Sequence, residues 1–172
     1  MDASSVFKDS LPTSPEMLME SLKSMDICFS VHAHLPLRTV EDAKGLRGSM
    51  PGAHIKNLYL RDRKKRNFLI VVQEDRLIDL SALSDQIGSG RLSFGSTERL
   101  FEILGVRPGA VSPFTLINDK DHKVQLILDE YLVNQSCLYA HPLVNDMTLG
   151  ISGDDLMRFF SSTGHKPHLL IF

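Results

Sequence analysis

The chain has 172 residues, 42% hydrophobic and 23% charged, with 19 basic against 21 acidic side chains and a formal net charge of -2. That balance suits a soluble globular domain. It excludes a disordered chain, a collagen-like fibre, a disulfide-stapled miniprotein and a strongly basic, backbone-wide nucleic-acid binder.

In chain order, residues 1–10 read as a loose arm. Ser14-Pro15-Glu16 then starts a helix, with Ser14 as N-cap, proline at its first position, and Leu18, Leu22 and Met25 on one face. Ile27 to Leu35 alternates as a strand. Thr39 to Asp42 begins a short helix limited by Gly45 and Gly48, and the loop Gly48 to Gly52 follows. Two apolar runs, ending at Leu60 and spanning Phe68 to Val72, flank the polar turn Arg61 to Arg66 and make a β-hairpin. Asp79 to Ile87, stopped by Gly88, and Ser96 to Leu104, closed by Gly105 and Pro108, are helices. Phe114 to Ile117 reads as a strand, Asn118 to Asp121 as a turn, and Val124 to Leu128 as the partner strand. Leu138 to Ala140 and Met147 to Ile151 are short strands around a His-Pro loop. Ser152-Gly153-Asp154-Asp155 opens a helix in the manner of a capping box, and His168 to Phe172 closes the chain as a strand. Hairpins mixed with isolated helices, without regular β-α-β alternation, give an α+β fold with a mixed or largely antiparallel sheet.

A chain of this length buries roughly two thirds of its unfolded surface, so its core requires neither metal nor disulfide. Cys28 and Cys137 stand far apart, outside any C-x-x-C, and read as free thiols of a reducing compartment. Met1-Asp2-Ala3-Ser4-Ser5 lacks the basic start and apolar run of a signal peptide, and no apolar run approaches the ~20 residues of a membrane span. The expectation is a cytoplasmic protein with no membrane partner.

The chain carries no G-x-S-x-G elbow, no phosphate-binding P-loop motif and no H-E-x-x-H. His32 and His34 share a strand face, but a metal needs a third ligand and none stands at suitable spacing, so no metal site is expected. The Arg61 to Arg66 turn is either a solvated hairpin tip or a phosphate contact. Lys56 either faces solvent or presents a cation to a phosphate or carboxylate, and Asn57 beside it can donate to and accept from a ribose or carbonyl. In Gly105-Val106-Arg107-Pro108-Gly109, Gly109 serves either a tight connection or the close approach of backbone to a ligand oxygen. His141, in the loop His141-Pro142-Leu143-Val144-Asn145, is either a structural hydrogen-bonder or a group that orients a hydroxyl or water.

Taken together these residues resemble a family. Gly52-Ala53-His54-Ile55-Lys56-Asn57-Leu58, Glu74-Asp75-Arg76, Gly90-Arg91-Leu92-Ser93-Phe94, Gly109-x-x-x-Pro113 and His141-Pro142-Leu143-x-Asn145 are similar, in this order and spacing, to runs of the YbaK/ProX aminoacyl-tRNA editing family. The resemblance covers Leu11 to Phe172, as one editing domain over residues 11–172, and the branch resembled is the freestanding ProX type, also called PrdX or ProXp-ala. It implies a mixed, partly barrel-like β-sheet surrounded by helices, and hydrolysis of mischarged Ala-tRNA(Pro) without a cofactor. Lys56, Gly109 and His141 are then the catalytic candidates. Asn57, Ala110, Val111, Ser112, Pro113, Asn145 and Arg91 are the substrate-binding candidates, with Ala110 to Ser112 shaping the amino-acid pocket and Arg91 facing the acceptor stem. The implied partners are the acceptor end of tRNA(Pro) and, secondarily, prolyl-tRNA synthetase. Two alternatives stay open: a deacylase for Cys-tRNA(Pro) or another small amino acid, and a non-catalytic tRNA- or synthetase-binding module.

The logic of editing suits this residue set. Alanine is smaller than proline, so a proline pocket rejects it only by weaker apolar packing, about 1–3 kcal/mol per methylene-sized difference, and a second, smaller site must remove the error. An aminoacyl ester is already activated. Orientation and charge stabilisation therefore suffice where no nucleophilic triad is present. Lys56, Arg91 and the Arg61 to Arg66 turn are expected to form a positive rim around one small pocket.

Overall fold

The computed structural model describes residues 8–36, 45 and 50–172. Four α-helices whose bounds fall among the described residues, α1 (Pro15–Ser24), α2 (Leu80–Gln86), α3 (Thr97–Leu104) and α4 (Gly153–Ser162), accompany eight strands. The strands are β1 (Phe29–Ala33), β2 (Ala53–Arg61), β3 (Asn67–Gln73), β4 (Ser93–Phe94), β5 (Val124–Asp129), β6 (Leu138–Ala140), β7 (Met147–Ile151) and β8 (His168–Leu170). The predicted short helix at Thr39 to Asp42 lies outside the described residues.

The helices begin where side chains supply an acceptor to the free N–H groups of the first turn. Ser14 caps Met17 N, Asp79 caps Ser81 N and Ala82 N, Ser96 caps Arg99 N, and Ser152 caps Asp155 N. Gly105 ends α3 in the left-handed region, at φ 66°, and returns its N–H to the Phe101 carbonyl.

The strands form one mixed sheet in the order β1-β7-β6-β2-β3-β5-β8, with β4 paired to the end of β2. The β1–β7, β6–β7 and β2–β3 pairs are antiparallel, whereas β2–β6, β3–β5 and β5–β8 are parallel. The hairpin partner of β2 is β3, as its two apolar runs predict. Strand β3 lies between β2 and β5 and is buried on both faces, which is why Phe68 to Val72 reads as an unbroken apolar run. Leu69 and Val71 enter the larger core with α1, α3 and α4, while Phe68, Ile70 and Val72 enter a smaller core with Leu83 of α2.

One sequence expectation is corrected and one element is added. Phe114 to Ile117 is not a strand. Pro113–Asn118 is a 3-10 helix entered through proline, with Thr115 N and Thr115 Oγ1 both bonded to the Ser112 carbonyl. Its backbone bonds are made locally, and the β5 partners are instead the distant strands β3 and β8. The two-residue strand β4 was not foreseen; it forms because Ser93 and Phe94 meet the end of β2 at Arg61 and Leu60.

Cys28 and Cys137 are both free. Continuing the β1–β7 and β6–β7 registers by one residue sets them on either side of Ser152, two strand spacings apart. That is about 10 Å, beyond the Cα separation a disulfide spans. Among the described residues no helix is long and apolar enough to cross a membrane.

Candidate functional site

Pairing register, rather than sequence proximity, assembles the site. Lys56 of β2 is opposite Val72 of β3, and His32 of β1 is opposite Thr148 of β7. One further residue along the β6–β7 register brings His141 level with Thr148, and two further residues along the parallel β2–β6 register bring it level with Lys56. One further residue along β3–β5 brings Asp129 level with Val72. The result is a transverse row, His32, Thr148, His141, Lys56, Val72 and Asp129, whose members share a sheet face because side chains on neighbouring strands in register point the same way.

Within that row the protons can be assigned. The Nδ1 of His141 lies 2.8 Å from the Met147 carbonyl, which only accepts, so Nδ1–H donates and the second nitrogen, Nε2, keeps its lone pair in the neutral ring. Burial pushes the His141 pKa below the usual histidine value. The neighbouring His34, with ring centroids 6.0 Å apart, lowers it further, against the opposing pull of the Met147 carbonyl and Asp146. The Nδ1 of His34 likewise donates to the Leu35 carbonyl, at 2.8 Å, and its Nε2 is hydrogen-bonded to the Thr148 hydroxyl, also at 2.8 Å. Thr148 thereby links the two rings, its oxygen lying 3.4 Å from His141 Nδ1.

The half-buried Lys56 ammonium donates to the Arg76 carbonyl. The guanidinium of Arg76 is paired through Nε to Asp129 Oδ2 at 3.0 Å, and Asp129 also accepts from the backbone N–H groups of Gln73 and Tyr131. A nearly fully buried carboxylate thus fixes the segment whose carbonyl receives Lys56.

The remaining candidates are distributed differently. Asn57, next to Lys56 on an extended strand, faces the opposite side, which Ile55 and Tyr59 share with the larger core. Its Oδ1 is buried without a hydrogen-bond partner among the described residues. Gly109 lies in the loop after α3 at φ 89°, a left-handed conformation that suits glycine. Ala110 is buried in the larger core, and Val111 packs against it. Ser112 is fully buried with its Oγ also unpartnered among the described residues, Pro113 opens the 3-10 helix, and Asn145 is fully buried.

Arg91 is not brought to this group. It precedes β4, which pairs at the Arg61 end of β2, five residues and roughly 16 Å of extended strand from Lys56. The Arg61 to Arg66 turn stands at that same end. The expected positive rim is therefore corrected: the cations divide between Lys56 in the row and a separate cluster at the hairpin tip.

Sequence reasoning gave His34 no functional role and overlooked Thr148 and the pair Arg76 and Asp129. The shared face of His32 and His34 was a signal for His34, and Arg76 stands within Glu74-Asp75-Arg76. Thr148 and Asp129 carry no local signal, since their place comes from strand pairing.

Comparison with known proteins agrees with this architecture. The family model described as an aminoacyl-tRNA editing domain matches residues 34–159. The chain is 36% identical over 151 residues to the prolyl-tRNA editing protein ProX of Acetoanaerobium sticklandii, covering 87% of this chain and 92% of that protein. It is also 36% identical to the prolyl-tRNA synthetase associated domain-containing protein 1 of Danio rerio, covering 90% and 85% of the two chains. A crystal structure described as a candidate trans-editing enzyme for prolyl-tRNA synthetase superposes with a TM-score of 0.68 at 20% identity, covering 92% of this chain and 96% of that one, and so shares the fold.

Proposed function

Because this chain belongs to the aminoacyl-tRNA editing domain family, we propose that it is a cytoplasmic trans-editing deacylase that hydrolyses the ester of mischarged Ala-tRNA(Pro). The observation that carries the reading is the strand register that sets His141, whose Nδ1–H is committed to the Met147 carbonyl and whose Nε2 is the acceptor of the neutral ring, in the same sheet row as Lys56. A neutral imidazole beside a fixed cation suits a water-activating or water-orienting group next to a phosphate anchor.

In the reaction, Lys56 binds a phosphate near the 3′ end of the tRNA and fixes the strand. Backbone N–H groups of the Gly109 loop hold the ester carbonyl as it becomes an oxyanion. His141 Nε2 accepts a hydrogen bond from the attacking water, with a ribose hydroxyl of the terminal adenosine assisting. Water adds to the carbonyl carbon, the acyl C–O bond breaks, the ribose oxygen takes the proton, and free alanine leaves. Asn145 positions the terminal nucleotide and Ala110, Val111, Ser112 and Pro113 bound the amino-acid side chain, while Asn57, whose side chain faces the larger core, supports the strand that carries Lys56. No step requires a cofactor.

The experiment is a deacylation assay on tRNA(Pro) charged with alanine, cysteine or serine, with and without prolyl-tRNA synthetase. Selective release of alanine supports the reading. Preferential release of cysteine or serine moves the preference within the family, and tRNA binding without turnover of any of the three overturns the enzymatic assignment.

A further inference from the structure

We propose that the tip of the β2–β3 hairpin is a second RNA-binding surface, built to hold the phosphates of the tRNA acceptor duplex while the 3′ end occupies the candidate site; this rests on the editing reading above. The tip gathers Arg61, Arg63, Lys64, Lys65 and Arg66, and the β2–β4 pairing brings Arg91 to the same corner. Six cations against the single carboxylate of Asp62 give this corner a formal +5 on a chain whose total is -2, so the remainder carries -7. A charge so concentrated attracts a polyanion to one point of an otherwise acidic surface.

The corner is rigid as well as basic. The Asp62 side chain is fully buried and lies 2.8 Å from Arg66 Nε and 2.7 Å from its Nη2. Its oxygens also accept from Arg66 N at 2.9 Å and Gly90 N at 3.3 Å. Arg66 Nη2 further donates to the Gly88 carbonyl at 3.1 Å. One carboxylate thus closes the turn and ties it to the segment bearing Arg91. It neutralises Arg66 alone. Arg63, Lys64, Lys65 and Arg91 are exposed and have no ion-pair partner among the described residues. Cations held on a fixed backbone lose less freedom on meeting a phosphate than cations on a mobile loop.

The position also fits. The tip lies roughly 16 Å or more along β2 from Lys56, so one tRNA cannot present a single phosphate to both. A ligand that engages both must be extended and charged along its length, as a nucleic-acid backbone is. Separate anchors for the reacting end and the duplex let a chain of nearly balanced charge recognise tRNA without general affinity for RNA.

The test replaces the three exposed tip cations together, as Arg63→Gln, Lys64→Gln and Lys65→Asn, the last because asparagine tolerates the left-handed φ of 67° at that position. Binding of uncharged tRNA(Pro) is followed by fluorescence anisotropy from about 50 to about 200 mM salt, and deacylation of Ala-tRNA(Pro) is compared with that of a short alanylated oligonucleotide ending in CCA. The variant is expected to bind tRNA about tenfold more weakly, with a salt slope shallower by about 2, near 0.7–0.9 for each phosphate no longer neutralised. KM for the full tRNA rises while kcat and turnover of the short ester stay unchanged, which also reports an intact fold. Unchanged tRNA affinity and salt slope would overturn the proposal. So would unchanged tRNA binding with abolished co-sedimentation with prolyl-tRNA synthetase, which assigns the tip to a protein partner. If the wild-type protein hydrolyses no aminoacyl-tRNA yet shows tip-dependent tRNA binding, the editing reading fails and the RNA surface stands.

Discussion

Lys56 and Arg76 meet end to side: the lysine ammonium donates to the arginine backbone carbonyl, while the arginine guanidinium is held by Asp129. The arrangement leaves the Lys56 ammonium two further N–H donors for a substrate phosphate. Lys56→Ala is expected to lower kcat/KM for Ala-tRNA(Pro) by about a hundredfold or more without lowering the melting temperature. Single-turnover deacylation beside a thermal melt checks this, and a near-wild-type rate removes Lys56 from the mechanism.

The pH dependence follows from His141. Burial, and then the facing His34, lower its pKa, so the ring is neutral at pH 7 and gains its proton only below the ordinary histidine value of about 6.5. The acidic limb of kcat/KM should therefore fall at a pH under that value, with activity preserved above it. His141→Asn should abolish the limb and reduce the rate by about 10²–10⁴. A pH–rate profile combined with ring proton shifts decides the matter; a limb centred above 6.5 contradicts the assignment.

Asp119 is a stability determinant rather than a site residue. Its carboxylate is buried, yet its pKa is lowered: the cost of burial, the largest influence, is outweighed by the His165 bond at 3.1 Å and by the backbone N–H groups of Lys123 and Val124. A carboxyl with a depressed folded pKa contributes stability that is present above its unfolded pKa, near 3.9, and is lost as pH falls through the folded value. Asp119→Ala should destabilise by about 3 kcal/mol at neutral pH, because it strands the buried Val124 N–H, the part-buried Lys123 N–H and a buried imidazole. Urea unfolding at pH 7 and pH 3 checks both statements: the difference between variant and wild type should shrink at the lower pH.

Asp62→Ala separates rigidity from charge at the hairpin tip. It raises the net charge by one, which alone would tighten RNA binding, but it unties the turn from Gly90. Loss of tRNA affinity together with a lower melting temperature is expected. Tighter binding would show that charge alone governs this corner.

The helix starts were legible because capping is local. Ser14, Asp79, Ser96 and Ser152 each satisfy an N–H two or three residues ahead, so each signal lies within one turn of chain. The β2–β3 hairpin was legible for the same reason. The 3-10 helix at Pro113–Asn118 was not: its apolar residues suit a strand, and only the local bonds to Ser112 and the distant pairing of β5 decide otherwise. Lys56, Gly109 and His141 could be named from motif order. That Lys56 and Asn57 serve opposite faces, and that Arg91 belongs with the hairpin tip, depends on registers joining segments far apart in sequence.

The same registers set the order in which the molecule can be built. Phe29 of β1 pairs with Ile151 of β7, and β8, close to the C-terminus, pairs with the central strand β5. Pairings so distant along the chain make a slow, late-closing topology. During synthesis the β2–β3 hairpin with its basic tip emerges early, whereas the half-sheet that sets Thr148 and the Met147 carbonyl against His141 must wait for β7. A ribosome that stalls before β7 would release a fragment able to attract RNA but unable to assemble the row proposed to act on it.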